Sequence, residues 1–200
     1  CASFCCAYSE VYEMFYRFQI LIPLTILITI GYSNPNIVAY SNDIWQPSAE
    51  EQEMLERINA ARQSPFNEAA RLGLRPDSVQ RFIKDSDRLP PLAWNRDLAN
   101  AAYDQNKRMV KDQHFAHRTT DGKSFLVFSR AVGYYALVYQ NLAAGPEFDK
   151  AGYMHDTFFI DRDIPSASHR QNIIESNAVE VGINRGVASG YYRRVWTVNF

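Results

Sequence analysis

Cysteine is nearly absent: the 200-residue chain has three, all within its first six residues. A domain built from the remainder has no disulfide, no cysteine metal centre and no thiol nucleophile. Charge of either sign is not in excess. The net charge of -1 offers no basic face of the kind nucleic acid requires and no polybasic case for an anionic membrane surface. Long apolar runs are missing too. Residues 18–30 form an uncharged, largely apolar run of thirteen residues, short of the roughly 20 that a bilayer crossing takes. No internal repeat, low-complexity tract or G-x-S-x-G nucleophile elbow occurs.

Apolar residues make up 46% of the chain, which fits one globular domain with a substantial core. The N-terminal part reads as a targeting segment. Arg17 supplies a positive charge ahead of the apolar run, and Met14 precedes both. This is the order of a signal peptide, the alternative being an uncleaved N-terminal anchor. Residues 1–13 are expected to be translated upstream sequence, 14–39 the signal peptide and 40–47 a linker. The domain is expected from 48 to 200, secreted to an extracellular or periplasmic place, with no transmembrane span in the mature form.

Ser48 and Glu51 form the pattern of a capping box, and Met54, Leu55, Ile58 and Ala61 follow at helical spacing. Ser64-Pro65 should end that helix, with a shorter one over 67–72. Asn95 is a good N-cap for a helix over 95–111 with Leu98, Ala101, Ala102 and Met109 as its buried stripe. A further helix is expected over 148–160. Strands are expected over 178–184 and 191–200, joined by a hairpin loop at 186–190. Helices first and a terminal hairpin later predict helices packed on an antiparallel sheet.

All four histidines lie between positions 114 and 169. His114 and His155 read as surface or structural residues, with His155 beside Asp156. His117 and His169 sit in a succession of segments. Glu56, Asn59 and Arg62 come first, then Leu92-Ala93-Trp94-Asn95 and Phe115-Ala116-His117. Gly133-Tyr134 leads to Gln140-Asn141-Leu142-Ala143. Ser168-His169-Arg170-Gln171-Asn172-Ile173 follows, then Val181-Gly182-Ile183 and Trp196-Thr197-Val198-Asn199-Phe200.

This succession resembles the CAP superfamily of cysteine-rich secretory, antigen 5 and pathogenesis-related proteins, in its disulfide-free bacterial branch. The resemblance implies an α+β fold: a three-layer α/β/α sandwich with a central antiparallel sheet. It also implies a cleft where two histidines and two acidic residues meet, able in relatives to hold a divalent metal. His117 and His169 match the histidines and would be the metal ligands. Gln140 stands where the family has a glutamate, beside Asn141. Asp161 is the expected second acid, and Asp156 the next choice.

A neutral amide takes no proton at working pH and is a weaker ligand than a carboxylate. Zinc wants three or four firm donors. Any divalent cation (zinc) should therefore bind weakly, and none is required. General-base catalysis through position 140 is not expected. Asn141 and Asn172 are expected to bond backbone in turns, and Arg170 to pair with a carboxylate such as Glu56. The expected role is a monomeric binding module, for a small molecule or lipid or dependent on a metal. The alternatives are a metal-assisted, peptidase-like hydrolase and a scaffold whose cleft is vestigial.

Overall fold

A computed structural model describes residues 46–83, 88–162, 164, 166–187 and 193–200. The expected upstream segment, signal peptide and most of the linker lie outside the described residues.

The first helix, α1 (Ala49–Gln63), starts at the expected capping box. The Glu51 carboxylate accepts the Ser48 amide at 2.8 Å, and the Ser48 hydroxyl accepts the Glu51 amide at 3.4 Å. Two orphan donors of the first turn are thereby satisfied. Ser64 ends the helix, and Pro65 opens α2 (Pro65–Arg71), where its missing N–H costs nothing. A single turn, α3 (Asp77–Gln80), follows.

The second long helix, α4 (Arg96–Asp112), begins where expected. The Asn95 side chain accepts the amides of Asp97 and Leu98. Its buried stripe is Leu98, Ala101, Ala102, Gln105 and Met109. Two shorter helices were not anticipated: α5 (Leu126–Ala131) and α7 (Ser168–Ile173). The helix expected over 148–160 is α6 (Ala151–Ile160).

Four strands form one sheet: β1 (Ala93–Trp94), β2 (Gln140–Gly145), β3 (Glu180–Val187) and β4 (Arg194–Asn199), in the order β1-β3-β4-β2. β4 pairs antiparallel with both β2 and β3. The two-residue β1 joins the edge of β3 in parallel, with Ala93 opposite Glu180. Residues 95–179 separate β1 from β3, so no hairpin dictates their relative direction. The expected strand over 178–184 starts two residues later and continues through Gly186 to Val187.

Alternation along β4 assigns the two faces. Val195 packs with Met109 of α4 on one side. Trp196 and Val198 join Met54, Leu55, Ile58, Met154 and Phe158 from α1 and α6 on the other. The result is the expected three layers: α4, the sheet, then α1 with α6. Polar residues break the apolar pattern on the α4 face. Asn106 of α4 donates to the Asn184 side chain at 2.8 Å and accepts from the Thr197 hydroxyl at 2.6 Å. Buried amides and hydroxyls thus satisfy one another.

Arg62 is fully buried. Its guanidinium donates to four carbonyls, those of Pro90, Ile173, Glu175 and Ala178, at 2.8–3.0 Å. Burial pushes its pKa down to about 10. Asn59, one turn earlier, closes a two-way bond with the Leu92 backbone, at 2.7 and 3.1 Å. The Asn and Arg of the leading helix are therefore chain fasteners.

Candidate functional site

The start of β2 is the centre of the site. Gln140 lies on the α4 face, and its amide is committed at both ends. Its Nε2 donates to Asn199 Oδ1 at 3.0 Å, and its Oε1 meets His117 Nδ1 at 2.9 Å. Asn199 is itself fixed, because its Nδ2 donates to the Leu98 carbonyl at 3.0 Å. An amide carbonyl only accepts. In the neutral ring, the relay from Leu98 through Asn199 and Gln140 makes His117 Nδ1 the nitrogen that donates and leaves Nε2 as a lone pair. His117 is exposed, and its ring lies against Phe125 with centroids 6.0 Å apart.

His169 is set by a different device. Asp161 ends α6 with φ 52°, a left-handed conformation that Asp tolerates better than most residues. Its buried carboxylate accepts the His169 amide at 2.8 Å, the Arg170 amide at 3.2 Å and His169 Nδ1 at 2.9 Å. Nε2 of this half-buried ring is again the nitrogen left over. Phe158 flanks the ring, with centroids 5.1 Å apart.

The two histidines are tied to adjacent residues of β2, His117 to Gln140 and His169 to Asn141. Asn141 Nδ2 donates to the His169 carbonyl at 3.0 Å. Asn172 Nδ2 donates to the Gln140 carbonyl at 3.3 Å and to Asn141 Oδ1 at 2.8 Å. His117, Gln140, Asn141, His169 and Asp161 thus form one hydrogen-bonded chain, His117 bonding Gln140 and the His169 backbone bonding Asn141. Gln140 and Asp161 act through the imidazoles, since their polar atoms are turned to Asn199, to backbone amides and to the rings. As a metal set this leaves two imidazoles, below the three or four firm donors of a zinc centre. The donors present do not fit a resident metal at this place.

Two expectations need correction. Arg170 does not pair with Glu56. It is buried, and its guanidinium donates to the Phe159, Ile160 and Ser78 carbonyls. The last carbonyls of α6 lack partners within the helix, and a neighbouring guanidinium fills that need. Glu56 instead accepts from Gln52 on the outer face of α1. Asp156 does not join His169; it bonds Arg71 of α2 and neighbours His155. His155 is the structural residue of its reading, being 1% exposed.

A second cluster adds Glu68 to the neighbouring His155 and Asp156. His155 Nδ1 lies 3.5 Å from a Glu68 oxygen and 3.4 Å from an Asp156 oxygen. The three residues each offer one donor atom, all within 4.8 Å of one another. Arg71 bonds both carboxylates from outside. The hydrogen bond from His155 and the charge of Arg71 hold the Asp156 carboxyl well below the usual range. Only the spacing of Glu68 and Arg71 hinted at it, and that spacing is common on helix surfaces.

The family described as CAP, Cysteine-rich secretory protein family, matches residues 55–200. No curated protein matches the chain. Two solved structures share the fold. An outer surface protein from Borrelia burgdorferi is 14% identical with a TM-score of 0.55, the match covering 78% of this chain and 94% of that one. An extracellular protein containing an SCP domain from Bacillus anthracis str. Ames is 18% identical with a TM-score of 0.50, covering 81% of this chain and 45% of that one.

Proposed function

Because the chain belongs to the CAP, or cysteine-rich secretory protein, family, we propose that it is an exported binding module whose cleft takes a small ligand between His117 and His169. The observation that carries this reading is the matched anchoring of the two rings. Each imidazole is held at Nδ1, by Gln140 or Asp161, and each keeps Nε2 uncommitted. A neutral imidazole accepts at the Nε2 left free when Nδ1 donates, which suits a ligand that presents hydroxyl or amide donors. Tyr135 and Leu137, exposed just before β2, suit an apolar portion of the same ligand. A lipid with a hydroxylated headgroup has both features.

Export is supported by the apolar run at 18–30 behind Arg17. It is also supported by the outer-surface and extracellular descriptions of the two structural relatives. Among the described residues no helix is long and apolar enough to cross a membrane. Hydrolysis is the weaker reading. His169 with Asp161 has the arrangement of an oriented base, but the donor set around it falls short of a metal centre.

The test is a binding screen with lysophospholipids, oligosaccharides and peptidoglycan fragments on the wild type and on a His117→Ala, His169→Ala double variant. Two net hydrogen bonds at about 1 kcal/mol each correspond to roughly 30-fold in affinity. The reading fails when no compound binds the wild type more tightly than the double variant.

A further inference from the structure

The geometry points to a divalent-cation site at Glu68, His155 and Asp156, gated by Arg71 and separate from the His117–His169 cleft.

The donor spacing is the first support. A good N–H···O bond spans about 2.7–3.2 Å. His155 Nδ1 stands 3.4 Å from Asp156, at the long end of a hydrogen bond, and 3.5 Å from Glu68. Ligands at about 2.1 Å around a tetrahedral zinc lie about 3.4 Å from one another. Two edges of the donor triangle already have that length, and the third is no longer than 4.8 Å.

The second support is the state of the imidazole. His155 is 1% exposed, and its Nδ1, the nitrogen that faces the two carboxylates, has only these long contacts. Buried polar groups are seldom so poorly satisfied. A cation seated against Nδ1 would give the ring a firm partner. One imidazole and two carboxylates also suit zinc, manganese or iron(II) chemically. A neutral imidazole and two carboxylates around a divalent ion sum to zero charge.

Arg71 is the gate. Its side chain is 46% exposed and bonds Glu68 at 2.7 Å as well as Asp156. The guanidinium neutralises the carboxylates and must swing outward for a cation to enter. A long, half-exposed side chain can do so without disturbing the core. Cation and guanidinium therefore compete for the same oxygens.

The experiment is zinc titration by calorimetry in a His117→Ala, His169→Ala background, so that the cleft contributes no imidazole and the two readings fail separately. One zinc per chain is expected there. Adding Arg71→Ala should tighten it about tenfold, and adding Glu68→Gln with Asp156→Asn should abolish it. These are partly exposed positions, so the variants are expected to fold, with circular dichroism as the check. On zinc addition the His155 ring nitrogen signals should move in 15N spectra. No zinc uptake by the folded Arg71→Ala form overturns the site, as does uptake that survives loss of both carboxylates.

Discussion

Gly182 is where the sheet and α4 come closest, and replacing it with alanine is a demanding test of this architecture. A Cβ built there would lie 2.1 Å from the Ala99 backbone nitrogen, 2.2 Å from the Leu98 carbonyl carbon and 2.5 Å from Leu98 Cβ. Ordinary contact begins at 3.4 Å. The helix or the strand must retreat by about 1.3 Å to restore normal van der Waals separation. The obstacle is backbone, so no rotamer change relieves it. Overpacking costs about 1–3 kcal/mol in well-packed cores, and this site belongs at or beyond the upper end. Loss of glycine's freedom in the unfolded chain returns only about 0.4–1 kcal/mol. A net loss near 3 kcal/mol lowers the melting temperature of a domain this size by roughly 10 °C. The control lies on the same strand: at Gly186 the nearest atom is the Asn106 Cβ at 3.4 Å, an ordinary distance. Gly186→Ala should stay within about 1 kcal/mol of wild type. Thermal and urea unfolding of the two variants read the difference. The retreat should also disturb the Leu98–Asn199–Gln140 relay, shifting the His117 ring signals in NMR. A Gly182→Ala protein that melts within about 2 °C of wild type, or no lower than Gly186→Ala, refutes the close packing.

Two other predictions concern charge. Gln140→Glu removes the donor to Asn199 Oδ1, at a cost of about 1–3 kcal/mol, and sets a carboxylate against His117. Its imidazole pKa should rise in an NMR titration. That partner's contribution is full below about pH 6.5 and is lost as pH rises through the raised folded value, so the destabilisation should be larger at pH 8 than at pH 5; an unmoved His117 titration would contradict the relay. Asp156 has the opposite sign. Its pKa is lowered by His155 and Arg71, so its contribution is present above about pH 4 and lost as pH falls through the lowered folded value. Urea midpoints should drop less between pH 5 and pH 3 in Asp156→Asn than in wild type, and an equal drop would dismiss the ion cluster as a stabilising element.

The sequence revealed local signals and missed some that depend on distant partners. Ser48-Glu51, Ser64-Pro65 and Asn95 lie within one helical turn of the backbone they cap, so helix starts were legible. β2 was not read as a strand, because Gln140-Asn141-Leu142-Ala143-Ala144-Gly145 has little β-branched character; pairing with β4 makes it one. The histidine pair and its neighbours were legible from motif order, but their roles were not. Nothing local says that Gln140 spends its amide on Asn199, or that Asp161 turns three ways inward. Asn184, Thr197 and Asn199 did carry a signal, as polar residues in otherwise apolar strands. The Glu68–His155–Asp156 cluster joins two helices far apart in the chain through packing alone.

Arg62 has a consequence for cooperativity. Its four acceptors come from two segments far from it in sequence, around residue 90 and from 173 to 178. A guanidinium stripped of water has no cheap intermediate state: releasing one segment strands donors that the others cannot take up. The turn behind His169, the crossing chain before β1 and the leading helix are therefore locked into a single opening event. Surface loops elsewhere can fray one at a time, whereas the segments that Arg62 ties together must hold or yield as a whole.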